Sequence, residues 1–481
     1  MNMIRTSNQL ILCLICMASV LLLEGCRSTA APEDPHRVLK TPQRPAREYY
    51  SAMLMLDADP EDPAYLDLLK KMIFSPGYVP KARQAAFNRL LEHDPERLQL
   101  VLELNLPRCQ MLQWRRMACE LIAEAEWKQM TPTLIRAWAY PMPGWVDDDT
   151  ERPERIALEK LHGTADLSRV LLEQMVQANP VTMSNLRARC WELLHSLGRR
   201  DILVALLQDQ SIGPDDPMLI DMRKGLDRLG IIPINREEVL WLRALCAPEN
   251  SEFFEELSIA TATMSADRRE QLELRDLPIT VAAYRFQPER LTADRETLYR
   301  QLLNRRKGRG KLHMPDFQGY SGSFTETLQG ARRELDWGDL VAMEMAMDAV
   351  DVPEVRAHVF DYADRDKLDR TCEYGGIIRL DDKGRFELVE YETAVKMGDL
   401  RYDSTQEMLD DAYTGLFHFH NHAQDFRNAD YAGPHMGDFN YANNTRANCL
   451  VFTFINRNTI NVDYYRHGRL VVDLGTISRD E

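Results

Sequence analysis

The stretch GLFHFHNHAQDFRNADYAGPHMGDF, residues 415–439, gathers four of the chain's eleven histidines, His418, His420, His422 and His435, ahead of Asp438. On an extended strand side chains alternate, so His418, His420 and His422 share one face while Phe417, Phe419 and Asn421 take the other. Three imidazoles buried side by side without partners are costly, and a divalent metal ion satisfies them. Two histidines two apart at a strand end, with a carboxylate from a following loop, make a three-ligand zinc site that keeps one position open to water. Hydrolysis at such a site also needs a glutamate base that does not itself hold the metal. Packing beneath a sheet also accommodates His418, and a loop surface accommodates His435. Asp425 and Asp430 are expected in solvent.

Little else in the chain groups into a site. The loop NRRKGRGKLHMPDFQGYSGSF (304–324) sets Gly308 and Gly310 among basic residues, as an anion-binding turn does. No strand precedes it and no Lys-Ser/Thr pair follows, so it reads as a solvated linker. Apart from Cys13, Cys16 and Cys26 near the N-terminus, the cysteines are Cys109, Cys119, Cys190, Cys246, Cys372 and Cys449, scattered singly with no CxxC pair. That excludes a zinc knuckle or a dense disulfide framework and predicts buried thiols. The net charge of −16 is spread along the chain with no basic stripe, which argues against nucleic acid as a partner.

The elements that must position the histidines lie at the end of a long, multidomain chain. Residues 10–23, LILCLICMASVLLL, follow Arg5 and have the length of a signal h-region. They run into LEGC (23–26), which resembles a bacterial lipobox. The resemblance implies a signal peptide over 1–25, lipidation of Cys26, and an exported protein anchored to a membrane on its periplasmic or extracellular face. Residues 26–58, rich in Pro, Ala and charge, read as a tether. Over 59–260 apolar residues recur at helical spacing, and ARQAAFNRLLE (82–92), WRRMACELIAE (114–124), ERIALEKLHG (154–163) and LRARCWELLHSLG (186–198) resemble one another. Taking Arg83, Arg116, Arg155 and Arg187 as markers, the copies fall every 32 to 39 residues. Each is followed by a second apolar helix, a pattern similar to HEAT-like solenoids. Such an array offers a surface for a protein partner or positions the domain that follows. Residues 261–345 read as a connecting region.

From 346 to 481 the pattern becomes a small α+β domain. A helix is predicted over 352–369 and strands over 375–380 and 385–392, joined by a turn with Gly384 at positive φ. A short helix opened by Ser404 is predicted over 404–413, then strands over 415–422, 449–455, 459–467 and 469–477. Within this domain Glu373 in EYGGII, His420 and His422 in FHNHA, and Asp438 in GPHMGDF resemble the signature of the JAMM (MPN, JAB) zinc metalloproteases, closest to the RadC-like branch. The resemblance implies Zn2+ held by His420, His422 and Asp438, with Glu373 as general base. It implies a protein or peptide substrate cut at a peptide or isopeptide bond. His418 with His420 is the alternative ligand pair. His435 stands where the family has a serine that assists the oxyanion. An imidazole there either donates to the tetrahedral intermediate or becomes a fourth ligand that closes the site. In that second case the chain is a non-catalytic scaffold or binding lipoprotein.

Overall fold

The computed structural model describes residues 33–140, 149–307, 309, 327–396, 398 and 400–480. The expected signal segment, Cys26 and most of the 304–324 loop lie outside the described residues. No helix among the described residues is long and apolar enough to cross a membrane. The chain divides into two compact units, residues 1–164 and 165–481. The helices from 165 to 260 therefore belong with the C-terminal sheet, and the boundary expected near 260 falls about a hundred residues earlier.

The first unit is helical. Pro63–Phe74 packs on Pro80–His93, and Leu112–Glu124 on Pro153–His162. Several of these helices begin with proline in the first turn, where its fixed φ suits the helix and its missing N–H costs nothing. The expected tether illustrates this. Pro35–Lys40 and Ala46–Leu56 are helices, with Val38, Leu39, Tyr49 and Met53 buried. Asp34 caps the first by accepting the His36 N–H at 3.0 Å. Proline here marks helix starts, not a flexible spacer.

The repeated feature of the helices differs from the one read in the sequence. Arg116 is exposed, whereas Arg83, Arg115, Arg152 and Arg187 are buried near helix starts. Their guanidinium groups donate to backbone carbonyls of neighbouring turns: Arg83 to the Tyr78 and Ser75 oxygens, Arg115 to Cys109, Arg152 to Ala137. In the second unit Arg187 donates to Met175, and Arg223 continues the series toward Leu207, Asp209 and Ile212. A planar, five-donor fork suits this work better than an ammonium.

The second unit ends in a six-stranded mixed sheet. Its strands are β1 (Gly375–Leu380), β2 (Phe386–Tyr391), β3 (Phe417–His422), β4 (Cys449–Asn456), β5 (Thr459–Arg466) and β6 (Leu470–Ser478), in the order β2-β1-β3-β4-β5-β6. Only β3 and β4 are parallel, so the segment between them crosses over the sheet. Gly384 sits in the β1–β2 turn with φ 76°, as expected. Gly376 has a different reason: a Cβ there would meet the Val389 oxygen at 2.0 Å. On one face lie α1 (Trp337–Asp351), almost wholly buried, and α2 (Pro353–Leu368), whose Phe360 and Tyr362 pack on Phe454 and Phe419. α3 (Gln406–Asp411) is capped by Thr405, not by Ser404. α4 (Met436–Thr445) belongs to the β3–β4 crossover and packs on β5.

The region expected as a connector is part of this unit. Arg275 is buried against the sheet and bonds Asp339 at 2.9 Å, Asp336 at 2.8 Å, Glu273 at 2.7 Å and Asn448 at 3.0 Å. Arg466 of β5 meets the same Asp339 at 2.7 Å. Burial works against the charge on Arg275, but the surrounding carboxylates hold its pKa above the usual range.

Candidate metal centre

Every residue of β3 is buried, because the strand is central and both faces of the sheet are covered. Its alternation sends Phe417 and Phe419 toward α2, with His418, His420 and His422 on the opposite face. There the Nε2 atoms of His420 and His422 stand 3.2 Å apart. The Asp438 carboxylate lies 3.3 Å from the first and 3.8 Å from the second. Asp438 is the third residue of α4, and its Oδ2 accepts the His435 backbone N–H at 2.6 Å in a capping box. A carboxylate at this position is favoured by the helix N-terminus and is held in one rotamer by the cap.

Glu373 enters from the strand on the other side of β3. Gly375 pairs with His420 and the Asn421 N–H bonds the Tyr374 oxygen, so the two chains continue in register up to Glu373 beside His422. One ligand atom from each of Glu373, His420 and His422 lies within 4.8 Å of the others. The Gln424 side-chain amide donates to Glu373 Oε1 at 2.8 Å, and Asn428 in turn donates to Gln424 at 2.7 Å. These two orienting residues were absent from the sequence reading, although Gln424 simply continues the 418, 420, 422 alternation.

His435 also joins the cluster. Its ring stacks on His422 with centroids 4.8 Å apart, and His422, His435 and Asp438 form a second group of ligand atoms within 4.8 Å. His418 does not: its Nδ1 meets the Tyr441 hydroxyl at 2.6 Å. Asp425 and Asp430 are exposed.

The donor set fits a divalent ion. At zinc–ligand distances of 2.0–2.2 Å, the corners of a tetrahedron are about 3.3 Å apart; the two Nε2 atoms are 3.2 Å apart, Asp438 Oδ1 is 3.3 Å from His420, and Asp438 Oδ2 is 3.8 Å from His422. His422 Nδ1 faces the Tyr431 carbonyl at 2.9 Å, which puts the ring proton on Nδ1 and leaves the Nε2 lone pair for a metal. Electrostatics agree. Burial depresses His420, but the Asp438 and Glu373 carboxylates outweigh it and push its pKa up to about 9. Burial and the His420 charge push His422 down to about 3. Burial opposes ionisation of Asp438, yet the histidines hold it well below the usual carboxylate range. The pocket thus favours positive charge next to a carboxylate that stays ionised.

The six cysteines among the described residues are free thiols, buried except for half-buried Cys246. Comparison with protein-family models, curated proteins and solved structures finds no match to this chain.

Proposed function

We propose that the chain is a zinc-dependent hydrolase of peptide or isopeptide bonds, of the JAMM type, in which His420, His422 and Asp438 hold the ion. The observation that carries this reading is the 3.2 Å approach of the His420 and His422 Nε2 atoms, with one Asp438 oxygen 3.3 Å from the first, the other 3.8 Å from the second, and a buried Glu373 beside them. A zinc ion held there would supply Lewis-acid activation of water and of the substrate carbonyl. Glu373, oriented by Gln424, would take the proton of the attacking water and return it to the leaving nitrogen. His435 would donate a hydrogen bond to the oxygen that gains charge in the transition state. The JAMM resemblance, with its order of glutamate, strand pair, helix, histidine strand, aspartate loop and terminal hairpin, supports the same assignment. The lipobox-like LEGC supports attachment through Cys26 on the outer side of a membrane. The helices of 59–260, read as HEAT-like, would then serve a protein partner or substrate.

A second reading follows from the closeness of His435 to His422 and Asp438. If His435 is a fourth ligand the site is closed, and the protein is a binding or scaffold lipoprotein with a structural ion. The experiment is zinc content and peptide hydrolysis of the full chain in detergent. Glu373→Gln is expected to keep its zinc and lose hydrolysis. Full activity in that variant, or zinc stoichiometry unchanged in the double variant His420→Ala, His422→Ala, would sink the proposal. Zinc bound by four protein ligands with no exchangeable water would select the scaffold reading.

A further inference from the structure

A cavity of about 450 Å³ opens on the candidate metal centre, with Glu373, His420 and Asp438 at one end. A second, of about 230 Å³, is lined by Leu240, Trp241, Leu409 and Tyr413. His418 and Asn444 line both, so the two form one cleft that runs from the polar centre to an apolar end. Helix α4 contributes Gly437, Asn440, Tyr441 and Asn444 to the first cavity. That spacing is one helix face, and it sets two exposed amides above the deeper Tyr441.

The hydrogen bonds around Tyr441 bear on the role of His418. The Ser404 hydroxyl donates to the Tyr441 oxygen at 2.9 Å, and Tyr441 meets His418 Nδ1 at 2.6 Å. Tyr441 has one proton, and with Ser404 donating to its oxygen that proton is available to Nδ1, the tautomer we assign to this pair. The His418 ring proton is then on Nε2, and His418 lines the cleft as a hydrogen-bond donor. Along β3 it lies two residues from His420, roughly 6.6 Å at strand rise. In an extended peptide, carbonyls on the same side repeat at that same distance.

We propose that the cleft takes an extended peptide. The carbonyl of the bond to be cut lies at the His420–Asp438 end, the carbonyl two residues away accepts from His418 Nε2, and an apolar side chain further along lodges beside Trp241 and Leu409. His418 is thus a positioning residue, held by Tyr441 and Ser404. The proposal rests on the hydrolytic reading of the metal centre, and its test separates the two.

The probes are fluorescein-labelled octapeptides of alanine and glycine with a single leucine moved through each position. Their affinity is read by fluorescence anisotropy on the zinc-loaded full chain carrying Glu373→Gln, so that no peptide is consumed. One leucine position is expected to bind about tenfold more tightly than the rest. Trp241→Ala is expected to erase that preference without changing affinity for the leucine-free peptide. Tyr441→Phe and His418→Phe are expected to weaken all the peptides about tenfold at unchanged zinc stoichiometry, with recovery in His418→Gln, which restores a donor. Tyr441→Phe keeps the ring and so the fold. Equal affinity at every leucine position, or undiminished affinity in Tyr441→Phe and His418→Phe, overturns the proposal. Absence of cleavage by the chain with Glu373 intact, with the leucine preference and its dependence on His418 retained, overturns the hydrolase reading and leaves the cleft assignment supported.

Discussion

Removing one of the three proposed metal donors has a size that follows from the site. In His420→Ala the remaining pair is His422 and Asp438, 3.8 Å apart, and the 3.2 Å and 3.3 Å approaches made by His420 are lost. Changes in outer-shell partners alone cost about 10–100-fold in metal affinity, so loss of a direct donor should weaken zinc by at least about 100-fold. With free zinc buffered at 100 times the wild-type Kd, binding stabilises the folded site by about 2.7 kcal/mol. In the variant the same zinc is at most equal to its Kd, and the stabilisation falls to about 0.4 kcal/mol. The assay is hydrogen exchange at the Asn421 amide, which bonds the Tyr374 oxygen at 2.9 Å and reports opening between β1 and β3. Zinc should slow that exchange about 100-fold in the wild type and about twofold in His420→Ala. Each protein is compared with itself with and without zinc, so the cost of the substitution in the metal-free state cancels. An undiminished zinc effect in the variant would refute the assignment of His420 as a ligand.

Three further outcomes are expected. Burial, and then the nearby Glu273, push the Glu238 carboxyl from 4.5 up to about 8. Between those values the folded chain holds a proton that the unfolded chain releases, so stability falls as pH rises, at about 1.4 kcal/mol per pH unit from this group. Glu238→Gln should flatten that dependence in urea unfolding measured from pH 4.5 to 8, and parallel curves for the two proteins would refute it. Arg275→Met removes the buried guanidinium partner of Asp339, Asp336 and Glu273, leaving Asp339 to Arg466 and Glu273 to His467, and should cost about 3–5 kcal/mol in the same assay; a change below 1 kcal/mol counts against the network. Gly376→Ala should cost about 1–3 kcal/mol, because its Cβ meets the Val389 oxygen and the Phe419 ring and must part β1 from β2. An unchanged urea midpoint would show that the strands yield more easily than their packing implies.

Much of the site was legible in the order of residues. The period of two in HFHNH places three histidines on one face whatever lies around the strand, and Gly384 had to supply the positive φ of its turn. Asp438 was legible as a carboxylate near the strand end, expected on a loop, whereas it is the third residue of the helix α4. The helices were legible from apolar spacing, but the arginines that tie them were misread by one position at Arg116 and by three at Arg155. Burial separates Arg115 from its neighbour, and burial depends on which helix packs alongside. The tether was misread because prolines at helix starts and prolines in a flexible spacer look alike until Val38, Leu39 and Tyr49 find something to pack on.

The sequence by itself determined the kinds of donor and the strand face they occupy, because alternation is a property of the extended backbone. Tertiary structure decided which of those donors meet. His420 and His422 converge on Asp438 because α4 begins where its cap turns the carboxylate toward them. His418, equivalent by alternation, is claimed by Tyr441 from the next turn of that helix. Glu373 reaches the centre because β1 pairs antiparallel to β3, and Gln424 holds it there. Contacts between residues tens of positions apart depend on strand pairing and helix docking, which local periodicity does not encode.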